Sequence, residues 1–186
     1  MTESLESSEL TPEQVTDLSG GLVPASTPGL AEKISATLAG IRRLCGWHVF
    51  PVKEETITVD AFGGTLLRLP TMHVEDISRV VIRGAEVDPS SFGWSQSGML
   101  ELYEGEFPDR FRSVEVTLRH GFDQAPDLLR IAAEIVQRSV LAGTGGNVSV
   151  GGISVGAPAG GGGGGSITPM ATEWRIIDQY KLREWP

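Results

Sequence analysis

The chain has 186 residues, of which 40% are hydrophobic and 21% charged, the balance of a soluble globular protein. Its net charge of −9 argues against a protein that grips nucleic acid through the phosphates, because such a protein needs clusters of basic side chains. The single cysteine, Cys45, excludes an intrachain disulfide. Since no apolar run is long enough to cross a bilayer and no signal pattern opens the chain, we expect no membrane association.

Residues 1–27 form an acidic N-terminal region with five carboxylates and neither lysine nor arginine. Thr11 and Pro12 are typical of a helix start, since threonine caps the first turn and proline fits the first helical position. The sequence Ser19-Gly20-Gly21 soon ends this helix. We therefore predict a flexible acidic arm that contains at most one short helix.

The main domain is predicted over residues 28–142, with a helix at each end. Residues 28–45 carry apolar side chains at spacings of three and four, which place them on one face of a helix. These residues are Leu30, Ile34, Leu38, Ile41 and Cys45. Residues 126–142 have a broader apolar face, begin at Pro126 and stop at Gly143. Both helices are expected to bury their apolar faces.

Between these helices, residues 54–119 change to a period of two, which is typical of strands. The turn sequences Phe62-Gly63-Gly64, Arg83-Gly84 and Gln96-Ser97-Gly98 separate the apolar runs. We predict about six short antiparallel strands at hairpin spacing, with residues 66–69 folding back on residues 57–59. The fold class is therefore α+β, with helices flanking an antiparallel β insert.

Half of the 24 glycines lie between residues 143 and 166. Within a Gly-rich loop over residues 143–167, two short apolar runs flank Gly151-Gly152 and predict a small hairpin at residues 148–155. The glycines from 160 to 165 are typical of a flexible linker. The hairpin residues that we assign to an inter-subunit or lumen-facing loop are Val148, Val150, Ile153 and Val155.

A C-terminal helix is predicted over residues 168–186, because Thr168-Pro169 is a helix start and apolar side chains follow. Aromatic residues are favoured at interfaces, where a few side chains dominate binding. A helix of this kind after a long tether suggests docking onto a partner, although packing onto its own domain fits the sequence equally well. The expected docking residues are Trp174, Ile177, Tyr180, Lys181 and Trp185.

The sequence shows no constellation of catalytic or metal-binding groups. His48, His73 and His120 have no further ligand residue at the spacing of a metal site, so each is interpreted as a surface or strand residue. The acidic pairs, such as Glu54-Glu55, are interpreted as solvated strand ends. The chain lacks a nucleophile elbow, and its glycine tract lacks the ending of a phosphate-binding loop. We therefore predict no enzyme activity, no metal and no cofactor.

The order of parts resembles the head-to-tail connector (adaptor) proteins of long-tailed, siphovirus-type phages, especially those that infect actinobacteria. The similarity covers residues 28–142 and the closing helix around residues 176–182. The segments that carry it are Cys45-Gly46-Trp47-His48, Phe92-Gly93-Trp94-Ser95, His120-Gly121-Phe122 and Ala125-Pro126-Asp127. The acidic arm and the length of the glycine tract depart from the family pattern, so the resemblance implies no role for them.

The resemblance implies a structural virion protein without enzymatic activity, located at the head–tail interface and assembled in the host cytoplasm. It implies a homo-oligomeric ring of about a dozen subunits beneath the portal protein. The C-terminal helix would clasp the portal, and a stopper or tail-terminator protein would follow on the tail side. Genomic DNA would pass through the channel without specific binding, which suits the acidic composition.

Three alternatives remain open on the sequence. A neck stopper or tail-completion protein also forms rings and contains strands, although the helix–sheet–helix order favours the adaptor. A small ligand-binding or hydrolytic module would need convergent polar groups in a pocket of the β insert. A host-cell regulatory protein would use the terminal helix to bind its partner. Association with purified particles distinguishes a virion component from a regulator.

Overall fold

The computed structural model describes residues 9–143, 148–150, 153–155 and 169–182. The fold is α+β, as predicted from the sequence. The chain divides into two compact units. The helical unit takes Ser8–Leu44 and Ala125–Gln179, and the β unit takes Cys45–Gln124 together with the chain from Tyr180 onward. The predicted β insert is therefore a compact unit with its own core.

The first helix of the helical unit, α1 (Pro12–Leu18), has the cap that the sequence predicts. The Thr11 hydroxyl accepts a hydrogen bond from the Gln14 N–H at 3.2 Å, and the Gln14 side chain accepts one from the Thr11 N–H at 2.9 Å. This reciprocal pair satisfies two amides that a helix start leaves unpaired.

Residues 9–27 are packed in the helical unit, which differs from the expected flexible arm over residues 1–27. Leu10, Val15 and Val23 are buried, although the sequence around them is acidic and rich in turns. Each buried aliphatic side chain contributes about 1.5–3 kcal/mol, which outweighs the turn-forming composition. Residues 1–8 lie outside the described residues.

The two longer helices are α2 (Leu30–Cys45) and α3 (Pro126–Gly143), close to the predicted bounds. Every residue of the apolar stripe predicted on α2 is buried. On α3 the broad apolar face is buried through Leu128, Ile131, Ala132, Ile135 and Val136. Helical periodicity in the sequence therefore located both faces correctly.

The last helix, α4 (Ala171–Ile177), is much shorter than the helix predicted over residues 168–186. It ends at Ile177, and the chain turns from Asp178 onward. Beyond the helix, the Tyr180 carbonyl accepts a hydrogen bond from the Trp47 indole N–H, and the Leu182 N–H donates to the Cys45 carbonyl. These tertiary hydrogen bonds replace those that a continuing helix would make, which explains the early end.

The β unit contains two antiparallel sheets. The four-stranded sheet has the order β1 (Lys53–Phe62), β7 (Asp109–His120), β3 (Val74–Ile82) and β4 (Ala85–Glu86). The three-stranded sheet has the order β2 (Leu66–Arg68), β6 (Met99–Leu102) and β5 (Phe92–Ser95). One apolar core joins residues of both sheets, including Leu67 and Leu100 from the smaller sheet and Val80 and Val116 from the larger one.

The strand pairing corrects one sequence prediction and confirms two others. Residues 66–68 do not fold back on β1; they pair with β6, whereas β1 pairs with β7 across most of its length. The turn predicted at Arg83-Gly84 connects the paired strands β3 and β4, and the hairpin predicted at Gln96-Ser97-Gly98 is present. The β1–β7 pairing joins residues far apart in sequence, so local turn signals did not reveal it.

Candidate docking surfaces

An ion pair clamps α4 onto α3 within the helical unit. The Arg138 guanidinium donates to both carboxylate oxygens of Glu173, at 2.5 and 2.9 Å, and the Met170 N–H donates to the same carboxylate at 2.6 Å. Burial by itself raises the pKa of Glu173, but these hydrogen bonds and the Arg138 charge lower that pKa below its ordinary value. Glu173 is only 4% exposed, and a buried carboxylate is destabilising without an opposite charge. The pairing with Arg138 therefore holds α4 against α3.

The predicted docking residues of α4 both face their own unit. Ile177 is completely buried, and Trp174 is half-buried. Trp174 lines an apolar hollow of about 320 Å³ on the helical unit, together with Ile41, Leu44, Ile135 and Pro169. The structure therefore shows the conformation in which α4 is packed on its own chain.

Tyr180 and Lys181 lie in the β unit and differ in exposure. The Tyr180 carbonyl accepts a hydrogen bond from the Trp47 indole N–H at 2.6 Å, and its ring meets the Phe122 ring edge-on at 5.5 Å. Lys181 is exposed. Trp185, the last predicted docking residue, lies outside the described residues.

Two of the sequence segments that carry the family resemblance meet in the β unit. The rings of Trp47 and Phe122 lie 5.7 Å apart, and the Phe122 N–H donates to the Val49 carbonyl at 2.7 Å. Gly121 has a φ of 113°, and a Cβ there would lie 2.9 Å from the Pro51 carbonyl oxygen. The segments at residues 45–51 and 120–122 are therefore joined by a ring contact, a backbone hydrogen bond and a close approach that requires glycine at position 121.

His120 lies at the same junction and is buried. Its Nε2 is 2.8 Å from a carboxylate oxygen of Glu55, while its Nδ1 has no hydrogen-bond partner among the described residues. Burial lowers the pKa of His120 and outweighs the opposing effect of Glu55. The pKa of Glu55 is also below its ordinary value. Burial raises this pKa, but the hydrogen bonds from Lys53 and His120 lower it by more. His120 is thus a strand residue, as the sequence analysis interpreted it, and it is neutral at physiological pH.

The hairpin predicted at residues 148–155 is present in the structure. Strand β8 (Val148–Val150) pairs with β9 (Ile153–Val155), in the register Val148 to Val155 and Val150 to Ile153. These strands form a two-stranded sheet. The side chains of the four candidate loop residues lie outside what the structure describes.

An exposed aromatic patch on the β unit was missed by the sequence analysis. Phe62 and Phe111 are 74% and 71% exposed, and their rings meet edge-on at 6.1 Å. Leu66, 55% exposed, lies on the strand that follows Phe62. The signal in the sequence was a phenylalanine at the polar end of each strand, beside Gly63-Gly64 and between Arg110 and Arg112.

Two general findings bear on what these surfaces can do. Among the described residues, no group of three or more His, Cys, Asp or Glu side chains is placed to hold a metal ion. None of the helices within the described ranges combines the length and the apolar character needed to cross a membrane. The features that stand out in the described parts of both units are thus apolar surfaces and ion pairs.

Comparisons with known proteins identify the fold of this chain. No protein-family model matches the chain, and the search of curated proteins found no match. A chain of "Neck of native GTA particle computed with C12 symmetry" has a TM-score of 0.58 at 13% identity, covering 100% of this chain and 95% of that one. A chain of "Neck of empty GTA particle computed with C6 symmetry" gives 0.55 at 12% identity, covering 96% and 95%. A chain of "Virion of native gene transfer agent (GTA) particle" gives 0.57 at 14%, covering 100% and 95%. The chain therefore has the fold of chains found in gene transfer agent particles, along nearly its whole length.

Proposed function

We propose that this chain is a structural protein of the neck of a phage-type particle, a head-to-tail adaptor without enzymatic activity. The observation that carries the proposal is the fold match to neck chains across the whole chain. A match of this extent includes both units, whereas a shared β module alone would cover only the β unit. The junction of the segments at residues 45–51 and 120–122 supports it independently, because those segments carry the family resemblance.

In this proposal the adaptor forms a homo-oligomeric ring beneath the portal protein. The neck structures with matching chains were computed with C12 and C6 symmetry, which supports a ring of about a dozen copies. A stopper or tail-terminator protein would bind the opposite side of the ring. Genomic DNA would pass through the channel without specific binding, since the net charge of −9 disfavours a grip on phosphates.

The C-terminal residues Trp174, Ile177, Tyr180, Lys181 and Trp185 remain our candidates for portal docking. Because Ile177 is buried and Glu173 is paired with Arg138, docking through Ile177 requires α4 to leave its own unit. Docking through Lys181 requires no such release, since this side chain is already exposed. We therefore assign the portal contact of a chain whose α4 stays packed to Lys181, whereas Trp174 and Ile177 contact the portal only in a chain that has released α4.

The β8–β9 hairpin is our candidate for a contact between subunits or for the lining of the channel. Two paired strands leave an unpaired edge on each side, and such edges accept further strands. In a ring, the hairpin of the next subunit supplies the strand that pairs with this edge. The residues concerned are Val148, Val150, Ile153 and Val155.

Deletion of the gene for this chain tests the proposed function. We expect particles to separate into DNA-filled heads and free tails, because nothing else would join the portal to the tail. Electron microscopy of the lysate measures the fraction of joined particles, and supplying the wild-type chain in trans should restore it. Normal particles from the deletion strain would overturn the proposal.

A further inference from the structure

The aromatic patch consists of Phe62, Leu66 and Phe111, and it lies beside a β-bulge in the β1–β7 pairing. The β1–β7 register shifts between Val59 and Ala61, so β7 carries extra residues opposite Asp60. Bulges of this kind redirect side chains away from the sheet. Phe111 lies within the bulge, and this places its ring beside that of Phe62.

The bulge contains a strained residue and a hydrogen bond that holds it. Arg112 has a φ of 52°, a left-handed conformation that costs a non-glycine residue free energy. The Asp60 carboxylate accepts a hydrogen bond from the Arg112 N–H at 2.7 Å, which holds that conformation. The fold therefore maintains a strained residue at the point where two phenyl rings are turned into solvent. Strain of this kind concentrates at functional positions.

The helical unit carries a concave apolar surface, whereas the aromatic patch protrudes from the β unit. Its hollow of about 320 Å³ is lined by Ile41, Leu44, Ile135, Pro169 and Trp174. A cavity of about 150 Å³ holds one benzene ring, so two phenyl rings need about twice that volume. The hollow therefore matches the Phe62–Phe111 pair in size and in chemistry. Arg43, exposed at the rim, is placed to meet the face of an incoming ring.

We propose that Phe62 and Phe111 of one subunit insert into this hollow on the next copy of the chain. A ring closed by rotation has a head-to-tail interface, so each subunit must carry both a surface and its complement. The aromatic patch and the hollow are such a pair. Phenylalanine is also among the residue types enriched at protein interfaces. This inference rests on the proposed function, since it names the interface of the proposed ring.

Self-association of the purified full-length chain tests the interface. The double variant Phe62→Ser/Phe111→Ser should weaken it by about 30-fold or more, because the loss of even one interface anchor costs about 2 kcal/mol or more. The matched control is Leu18→Ser, which removes another exposed apolar side chain, 52% exposed, from α1. Sedimentation over a concentration series gives the association constants, and circular dichroism confirms that each variant is folded.

A substitution that fills the hollow provides the reciprocal test. A Cβ at Gly40 would meet no atom within 4 Å, and Gly40 lies in the hollow on α2. Gly40→Leu should therefore block association to the same extent as the double variant while leaving the helix intact, because leucine favours helix over glycine. Association equal to wild type in either variant would overturn the inference, and so would a wild-type chain that stays monomeric at its solubility limit.

Cross-linking within particles separates this inference from the proposed function. The native Cys45 is buried, so cysteines introduced by Leu66→Cys on the aromatic patch and Arg43→Cys at the rim of the hollow are the reactive pair, and both phenylalanines stay in place. A short bismaleimide should give a ladder of cross-linked subunits with the double variant and none with either single variant. Particles that contain the chain but give no ladder overturn the interface alone, including the case in which the patch binds the portal. Particles that lack the chain overturn the proposed function.

Discussion

The Arg138–Glu173 pair is the contact on which the position of α4 depends. Glu173 is 4% exposed and accepts three hydrogen bonds, two of them from Arg138, which also supplies the opposite charge. The side chain of Arg138 is more accessible than that of Glu173, which moderates the cost of losing it. A sequence reading alone did not reveal this pair, because the two residues are 35 positions apart and lie on different helices.

Arg138→Met should lower the free energy of unfolding by about 2–4 kcal/mol, because it leaves the buried Glu173 carboxylate without its partner. The matched control is Arg130→Met on the same helix. Arg130 is exposed and pairs with Glu134 at 3.1 Å, so its loss should cost at most about 0.5 kcal/mol. Urea unfolding measures both values. Equal effects of the two variants would show that the clamp does not hold α4.

His120 should make the β unit less stable in mild acid. Its folded pKa lies below the ordinary value of 6.5, so the unfolded chain takes up a proton more readily than the folded one. Its contribution to stability is therefore fully present above about pH 6.5 and is lost as the pH falls toward the folded pKa. The groups facing it are Glu55, Lys53 and the His48 ring.

Two measurements check the behaviour of His120. An NMR titration should give an apparent pKa below 6.5 for this residue. The free energy of unfolding should decrease between about pH 7.5 and 5.5 in the wild type, and much less in His120→Gln, which cannot take up the proton. A wild type whose stability rises over this range would contradict the sign of the shift.

Gly121→Ala should destabilise the β unit by about 1–3 kcal/mol, because the new Cβ would lie 2.9 Å from the Pro51 carbonyl oxygen. Gly63→Ala is the matched control. Gly63 also has a positive φ, 77°, but no atom lies within 4 Å of its Cβ position. Because both glycines have a positive φ, the difference between the two losses in thermal stability reports the cost of the close contact at position 121. A larger loss for Gly63→Ala would contradict the packed junction.

At the scale of elements, the sequence predicted what local pattern determines. The faces of α2 and α3, the Thr11 cap and the two hairpins follow from spacing and turn residues, and the structure contains them. The pairing of β1 with β7 depends on contacts between residues about 60 positions apart, which no local pattern encodes. The bulge at Asp60 and Arg112 depends on that pairing, so the aromatic patch was hidden as well.

Two residues near the C-terminus, Ile177 at the end of α4 and Lys181 beyond the helix, separate folding from docking. Ile177→Ala should cost about 2–4 kcal/mol of stability, because it removes a fully buried side chain. Lys181→Glu should leave the free energy of unfolding unchanged within about 0.5 kcal/mol, since Lys181 is exposed. Under the proposed function the same charge reversal weakens binding to the portal, measured by co-sedimentation with purified portal rings. Unchanged binding would remove Lys181 from the docking surface.

At the scale of the whole molecule, the division of surfaces between two units suits an assembly protein. The β unit presents an aromatic patch, and the helical unit presents an apolar hollow and a clamped terminal helix. Single exposed apolar residues are ordinary, but paired and backbone-supported ones mark interaction sites. A sequence can indicate that such a chain binds partners, whereas the similar volumes of the patch and the hollow are seen only in the structure.

Cryo-electron microscopy of the neck in purified particles tests the central claim most directly. We predict a ring of this chain between portal and tail, in which Phe62 and Phe111 of each subunit lie in the hollow of the next. A neck reconstruction in which this chain is absent, or present outside the portal–tail junction, would contradict the claim that it is a head-to-tail adaptor.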